Sequence, residues 1–250
     1  MTFPVSGPPR AWSPDDEPFA RVLITCAHPD DVDFGCAGTV ATMVDQGSEV
    51  AYCIATDGEA GGNDRDQPRA EMAKVRRSEQ LAAAAVVGVR DVRFLGYPDG
   101  RLSLTLELRR DFTRVIRQFR PDLVIAQSPE RRWDVIYASH PDHLAAGEAT
   151  VDAVYPDSRN PFAHPELLDE GLEPHTVGAL WMMAAPGSNV AVDVTDALDR
   201  KVAALACHES QGAGNPDIAA LIGDWARSNA AGAGWPDGRL AELFWAIPTG

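Results

Sequence analysis

Two short stretches concentrate side chains that can grip a cation and move protons. The first is Ala27-His28-Pro29-Asp30-Asp31-Val32-Asp33-Phe34-Gly35, the second Ser139-His140-Pro141-Asp142-His143. Turns favour Asp and Pro, but a turn has no need of a histidine three residues before an aspartate with another Asp between. His28, Asp31 and His143 together offer two imidazoles and one carboxylate. That donor set suits a zinc ion that keeps one position open for water, and Fe²⁺ or another divalent ion accepts the same ligand types. Asp30 and His140 are then left over. A metal-assisted hydrolysis needs two such spare groups, one to take a proton from water and one to face the developing oxyanion.

Chemistry of this kind requires the two stretches to meet, so the elements around them matter. Val22–Ala27 is a continuous apolar run, as in a strand covered on both faces. Further strands are expected at Glu49–Thr56, Asp91–Leu95, Asp122–Ala126, Ala179–Ala184 and Val190–Val194. Helical patterns fall between them at Gly38–Gln46, Arg69–Val87, Leu104–Phe119, Leu144–Val154 and Thr195–Glu209. Gly47 and Gly88 stop two of these helices, and Arg120-Pro121 breaks a third. This alternation predicts an α/β fold, Rossmann-like, with a mostly parallel sheet and helices on both faces. Ligands of such sheets bind beyond the carboxyl ends of the strands. His28–Asp31, Asp57–Glu59, Tyr97–Gly100 and Ser128–His143 all follow predicted strands, so four polar loops converge on one rim.

With 250 residues, 45% hydrophobic and 24% charged, the chain reads as one globular α/β domain over 1–250. Residues 1–19 are Pro-rich and read as an extended arm, 155–174 as an irregular insertion, and Gly212–Gly238 as Gly- and Ala-rich chain without a clear pattern. A net charge of −15 repels phosphate and anionic lipid, which argues against nucleic-acid and membrane-surface partners. No apolar run is long enough for a membrane span, and the N-terminus lacks the basic and apolar regions of a secretory signal. The four cysteines form no C-x-x-C pair, which fits reduced thiols and a cytoplasmic setting. Gly35-Cys36-Ala37-Gly38 lies between a strand and a helix, but it is not G-x-G-x-x-G and its aspartate neighbours would repel a pyrophosphate. A nucleotide-binding oxidoreductase is therefore set aside.

The pairing of AHPDD with HPDH resembles the PIG-L/LmbE-like zinc de-N-acetylases. VRRSEQLAAAAVVGV (Val75–Val89), VRFLGYPDG (Val92–Gly100) and KVAALACHESQ (Lys201–Gln211) are similar to segments of the same family. The resemblance spans roughly residues 20–211. It implies metal binding by His28, Asp31 and His143, a general base at Asp30, and an oxyanion or leaving-group role for a charged His140. It implies that Asp142 orients His140, and it places Arg76 and Asp99 against the substrate. Some members carry a tyrosine where this chain has Ala138; Tyr137 lies one residue further back. His208 sits in a family-like H-x-S-Q setting, beside the pocket or packed within the fold. The implied reaction removes the N-acetyl group of an N-acetylglucosamine-type sugar or glycoconjugate and releases acetate. An amidase acting on a larger amide of an amino-sugar thiol conjugate would use the same groups. Self-association is left open as a homo-oligomer.

Overall fold

The computed structural model describes residues 7–15, 17–62, 64 and 66–250. In chain order its elements begin with β1 (Arg10–Ala11), β2 (Arg21–Cys26), α1 (Asp31–Gly35), α2 (Ala37–Asp45), β3 (Glu49–Thr56) and α3 (Arg69–Val86). They continue with β4 (Asp91–Tyr97), α4 (Leu106–Phe119), β5 (Leu123–Gln127), α5 (Pro141–Asp152), α6 (Glu166–Asp169) and β6 (Ala179–Met183). The last are β7 (Val190–Asp193), α7 (Leu198–Ala206), α8 (Pro216–Gly232) and β8 (Ala241–Pro248). One sheet of eight strands runs β1-β7-β8-β6-β5-β2-β3-β4. Strands β2 to β6 pair in parallel, whereas β8 is antiparallel to both of its neighbours, β6 and β7.

The apolar continuity of β2 follows from its position. Val22, Ile24 and Cys26 enter one core with Tyr52, Ile54, Trp181 and Phe244. Leu23 and Ala27 enter the other with Leu108, Phe112, Ile116, Val124 and Leu180. Each fully buried Ile, Leu or Phe contributes about 1.5–3 kcal/mol, so neither face of the strand tolerates a polar residue cheaply. The order of strands reverses between β2 and β5, which are hydrogen-bonded neighbours with Ile24 opposite Ile125. Their carboxyl ends carry the two chemistry-bearing stretches. This reversal is where open parallel sheets form their ligand crevice.

Several boundaries differ from the sequence reading. The expected helix Gly38–Gln46 starts at Ala37, and a separate short helix, α1, begins at Asp31. The expected Leu144–Val154 starts at Pro141, which suits the first helical position and puts His143 in the first turn. Thr195–Glu209 narrows to α7. The region 155–174 is not wholly irregular: α6 lies within it, and buried Arg117 donates to the carbonyls of Asp157, Ser158 and Asn160. In the N-terminal arm, Arg10 and Ala11 pair with Val190 and Ala191, and Trp12 packs edge-on against Trp181. Residues 1–6 and 16 of that arm lie outside the described residues. The Gly/Ala-rich stretch forms α8, with Asn215 capping its start through Asp217 N–H. No helix of the described residues is long and apolar enough to cross a membrane.

The last strand, β8, was not anticipated, and it does more than close an edge. Its Glu242 is buried and reaches the start of α2, accepting from Gly38 N–H at 3.1 Å and Thr39 N–H at 2.7 Å. The buried Lys201 ammonium donates to the same carboxylate at 2.5 Å and to Phe34 O, at the end of α1, at 2.7 Å. Removing one partner of a buried pair leaves the other charge unpaired. Glu242→Leu is therefore expected to destabilise the fold by about 3–5 kcal/mol in urea unfolding. Adding Lys201→Met should recover part of that loss, and a double variant no better than the single would refute this account.

Candidate metal centre

Ala27 is fixed from both sides just before the first histidine. Its N–H donates to Gln127 Oε1 of β5 at 2.9 Å, and its carbonyl accepts from Thr56 N–H and Oγ of β3, each at 2.9 Å. The chain then turns sharply through His28–Asp30 into α1. Asp31, first residue of that helix, takes His28 N–H on its Oδ2 at 2.7 Å. From the other side, α5 approaches the end of β5 very closely. A Cβ on Gly147 would lie 2.5 Å from Gln127 O, so only glycine fits there. Gly147 is one helical turn beyond His143, and its close seating carries that imidazole into the crevice.

Three donors meet as a result. His28 Nδ1 lies 3.3 Å from His143 Nε2 and 3.5 Å from Asp31 Oδ2, and His143 Nε2 lies 3.0 Å from Asp31 Oδ1. Ligands about 2.0–2.2 Å from one tetrahedral ion stand roughly 3.3–3.6 Å apart; both His28 spacings fall in that range, while the His143–Asp31 contact is at hydrogen-bond distance and through the other carboxylate oxygen. The far side of His28 supports the same reading. Its Nε2 faces Asp99 Oδ1 at 3.1 Å and Asp142 Oδ2 at 3.2 Å. Two carboxylates favour a ring proton on Nε2, and with a cation bound Nδ1 would be the nitrogen that faces it. Both carboxylates are steadied by backbone donors: Ala60 N–H to Asp99, and Gly100 and Leu102 N–H to Asp142.

The electrostatics show a site that calls for positive charge. Burial opposes a charge on His28, but hydrogen bonds with Asp142, Asp31 and Asp99 carry its pKa up to about 12. Burial likewise works against ionised Asp31, yet His143 and His28 hold its carboxyl well below the usual range. His143 is raised despite burial, chiefly by Asp31. A divalent cation there would satisfy the same carboxylates that otherwise draw protons onto these imidazoles.

Asp30 stands apart from the triad. Burial is the largest influence on it and pushes its pKa up to about 6, against the lowering effect of Arg76. Its backbone has φ 91°, ψ −27°, left-handed for a residue with a side chain. Such a conformation costs about 1–3 kcal/mol and persists only where surroundings impose it. His140 lies on the opposite wall, its ring centroid 5.0 Å from that of His28 and 5.3 Å from that of His143. A nitrogen from each of these three histidines falls within 4.8 Å of the others.

The fold sets the contacts of the remaining candidates. The Asp142 carboxylate holds His28, not His140; only its backbone N–H reaches His140, donating to Nδ1 at 3.2 Å. That bond assigns the neutral tautomer, with the proton on Nε2. His140 is also not held charged: burial first, then the charges of His28 and His143, lower its pKa. Arg76 is buried and donates to Gly58 O at 3.0 Å, Pro29 O at 2.5 Å and Asp30 Oδ2 at 2.9 Å. Asp99 is buried too and is spent on His28 and Ala60. Tyr137, beside Ala138, is 87% exposed and turned to solvent. His208 is wholly buried against Asp33 Oδ2 at 2.8 Å. Gln80, on the same face of α3 as Arg76, donates to that same Oδ2 at 2.9 Å and was missed in the sequence. The four-residue step from Arg76 to Gln80 is the signal that could have found it.

Residues 23–154 match the family model described as PIG-L, GlcNAc-PI de-N-acetylase. A diacetylchitobiose deacetylase of Thermococcus kodakarensis is 34% identical over 199 residues, which covers 78% of this chain and 73% of that protein. A probable N-acetyl-alpha-D-glucosaminyl L-malate deacetylase 2 of Bacillus anthracis is 34% identical over 148 residues, 56% of this chain and 63% of that one. Among solved structures, the N,N'-diacetylchitobiose deacetylase of Pyrococcus horikoshii superposes with a TM-score of 0.85 at 30% identity, covering 94% of this chain and 86% of that chain.

The donor geometry makes a direct prediction. His28→Ala and His143→Ala should each lower the divalent metal retained by the purified protein to well below one ion per chain, measured by elemental analysis. Asp30→Asn should retain it, since Asn tolerates a left-handed backbone and Asp30 lies outside the triad. Equal metal content in all three variants would rule out the donor assignment.

Proposed function

The chain belongs to the PIG-L de-N-acetylase family, and on that premise we propose that it hydrolyses the acetamide of an N-acetylglucosamine-type sugar or glycoconjugate, releasing acetate. The observation that carries this reading is the arrangement of Asp30. A half-buried carboxylate with its pKa pushed up to about 6 lies between His28 and Asp31 in the chain but is not one of the three donors. A group ionised near neutrality, yet basic enough to accept a proton, is what general-base hydrolysis requires.

His28, Asp31 and His143 would hold the metal, which we take to be zinc from the donor types; it would supply Lewis acidity toward the amide carbonyl and acidify a water molecule. Asp99 and Asp142 keep His28 in the tautomer that presents Nδ1. Asp30 takes a proton from the attacking water onto its carboxylate. Arg76, donating to Asp30 Oδ2, holds that carboxylate in place. As the acetamide carbon becomes tetrahedral, the neutral His140 donates from Nε2 to the new oxyanion. A donor in this role is worth about 3–4 kcal/mol. With Ala138 in place of a tyrosine and Tyr137 in solvent, we assign this role to His140. Asp30 then returns its proton to the nitrogen as the C–N bond breaks, leaving acetate and a free amine. The four free cysteines, three of them buried, fit a cytoplasmic setting.

Acetate release from N-acetylglucosamine and N,N'-diacetylchitobiose tests the reading. The wild-type protein should turn over at least one of them, and Asp30→Asn should lower kcat by about 10²–10⁴. His140→Ala should lower kcat by about 10²–10³ through loss of the oxyanion donor. Full activity in Asp30→Asn would remove Asp30 from the mechanism.

A further inference from the structure

We propose that Gln80 is a positioning residue for Asp30: it holds the base in its left-handed backbone conformation, and Asp33 and His208 fix which way its amide points. The proposal rests on the reading of Asp30 as the base. Asp30 N–H donates to Gln80 Oε1 at 2.7 Å, and Gln80 Nε2 donates to Asp33 Oδ2 at 2.9 Å. His208 Nε2 meets the same Asp33 oxygen at 2.8 Å. A chain of hydrogen bonds thus runs from the segment after α7, through α1 and α3, to the backbone of the base.

A primary amide has one accepting and one donating edge. Were Gln80 reversed, its NH₂ would meet the Asp30 N–H and its oxygen would meet a carboxylate. Asp33 therefore selects the orientation that receives Asp30. The same backbone is held from a second direction by Arg76, through Pro29 O. Gln80, Asp33 and His208 are each 0% exposed. Asp33 Oδ1 and His208 Nδ1 have no hydrogen-bond partner among the described residues. A buried polar group costs more than apolar packing unless fully bonded. Stability alone gives no reason for three such side chains here. Holding the φ of 91° that aims the Asp30 carboxylate does.

Turnover and amide exchange together test this. Gln80→Glu keeps an acceptor for Asp30 N–H but sets two carboxylates against each other. It should lower kcat at least tenfold with KM changed less than about twofold, because misplacing a reacting group costs rate before binding. Adding Asp33→Asn puts an amide donor opposite the introduced carboxylate and should recover most of the lost kcat. Gln80→Leu should speed hydrogen exchange of the Asp30 amide while Val32 and Cys36 amides keep wild-type rates. In an Asp30→Asn background, Gln80→Leu should cause no further loss of turnover. No recovery in the double variant, uniform acceleration of exchange, or an equal loss in both backgrounds would each overturn the proposal. Should Gln80→Leu fail to fold, His208→Gln tests the far end of the chain with the same two readouts. Full activity of Asp30→Asn would defeat the base reading, and the exchange of its amide would still decide whether Gln80 holds this backbone.

Discussion

The hydrogen-bonded pairing of β2 with β5 is the constraint from which the rest follows. The two strands are about a hundred residues apart in the chain, yet they lie side by side, and their ends release two loops into one crevice. Each loop carries a His-Pro pair where it runs into a helix. The helices fix where the side chains point: α1 aims Asp31 inward, and α5 aims His143 at it. Nothing in either loop would bind an ion alone. The crevice forms because sheet order, helix start and close helix seating agree.

Much of this was legible in the sequence because the relevant signals are local. Alternating apolar runs and helical periods mark the parallel strands, and paired HPD stretches mark the donors. What escaped was set by contacts between distant segments. β8 follows a Gly- and Ala-rich stretch, and its inclusion depends on pairing with β6 and β7 rather than on its own pattern. Arg76 and Asp99 read as substrate contacts only through the family resemblance of the segments that carry them. Burial, which one chain position cannot reveal, turns each inward onto another site residue. The family resemblance implies that Asp142 partners His140, two positions away in the chain. The helix start carries its carboxylate to His28 instead.

The polar groups behind the crevice are graded by distance from the donors. His28, Asp31 and His143 face one another directly. Asp99 and Asp142 lie one layer back and settle the tautomer of His28. Asp30 is held from its own rear by Arg76 on the carboxylate and Gln80 on the backbone. Burial raises Asp30 while Asp31, its chain neighbour, is driven the other way by its imidazole partners. Two adjacent carboxylates thus differ in character for a physical reason: one pairs with cationic rings, and the other is desolvated beside a single arginine.

The carboxylate that seats the start of α2 comes from residue 242, on the last strand of the sheet. During synthesis β2, β5 and both HPD loops leave the ribosome long before that residue does. The seat of α2, and through Phe34 and Lys201 that of α1, thus draws on a side chain 203 positions further along the chain, so both HPD loops precede in synthesis the residue that anchors the helices behind the first of them.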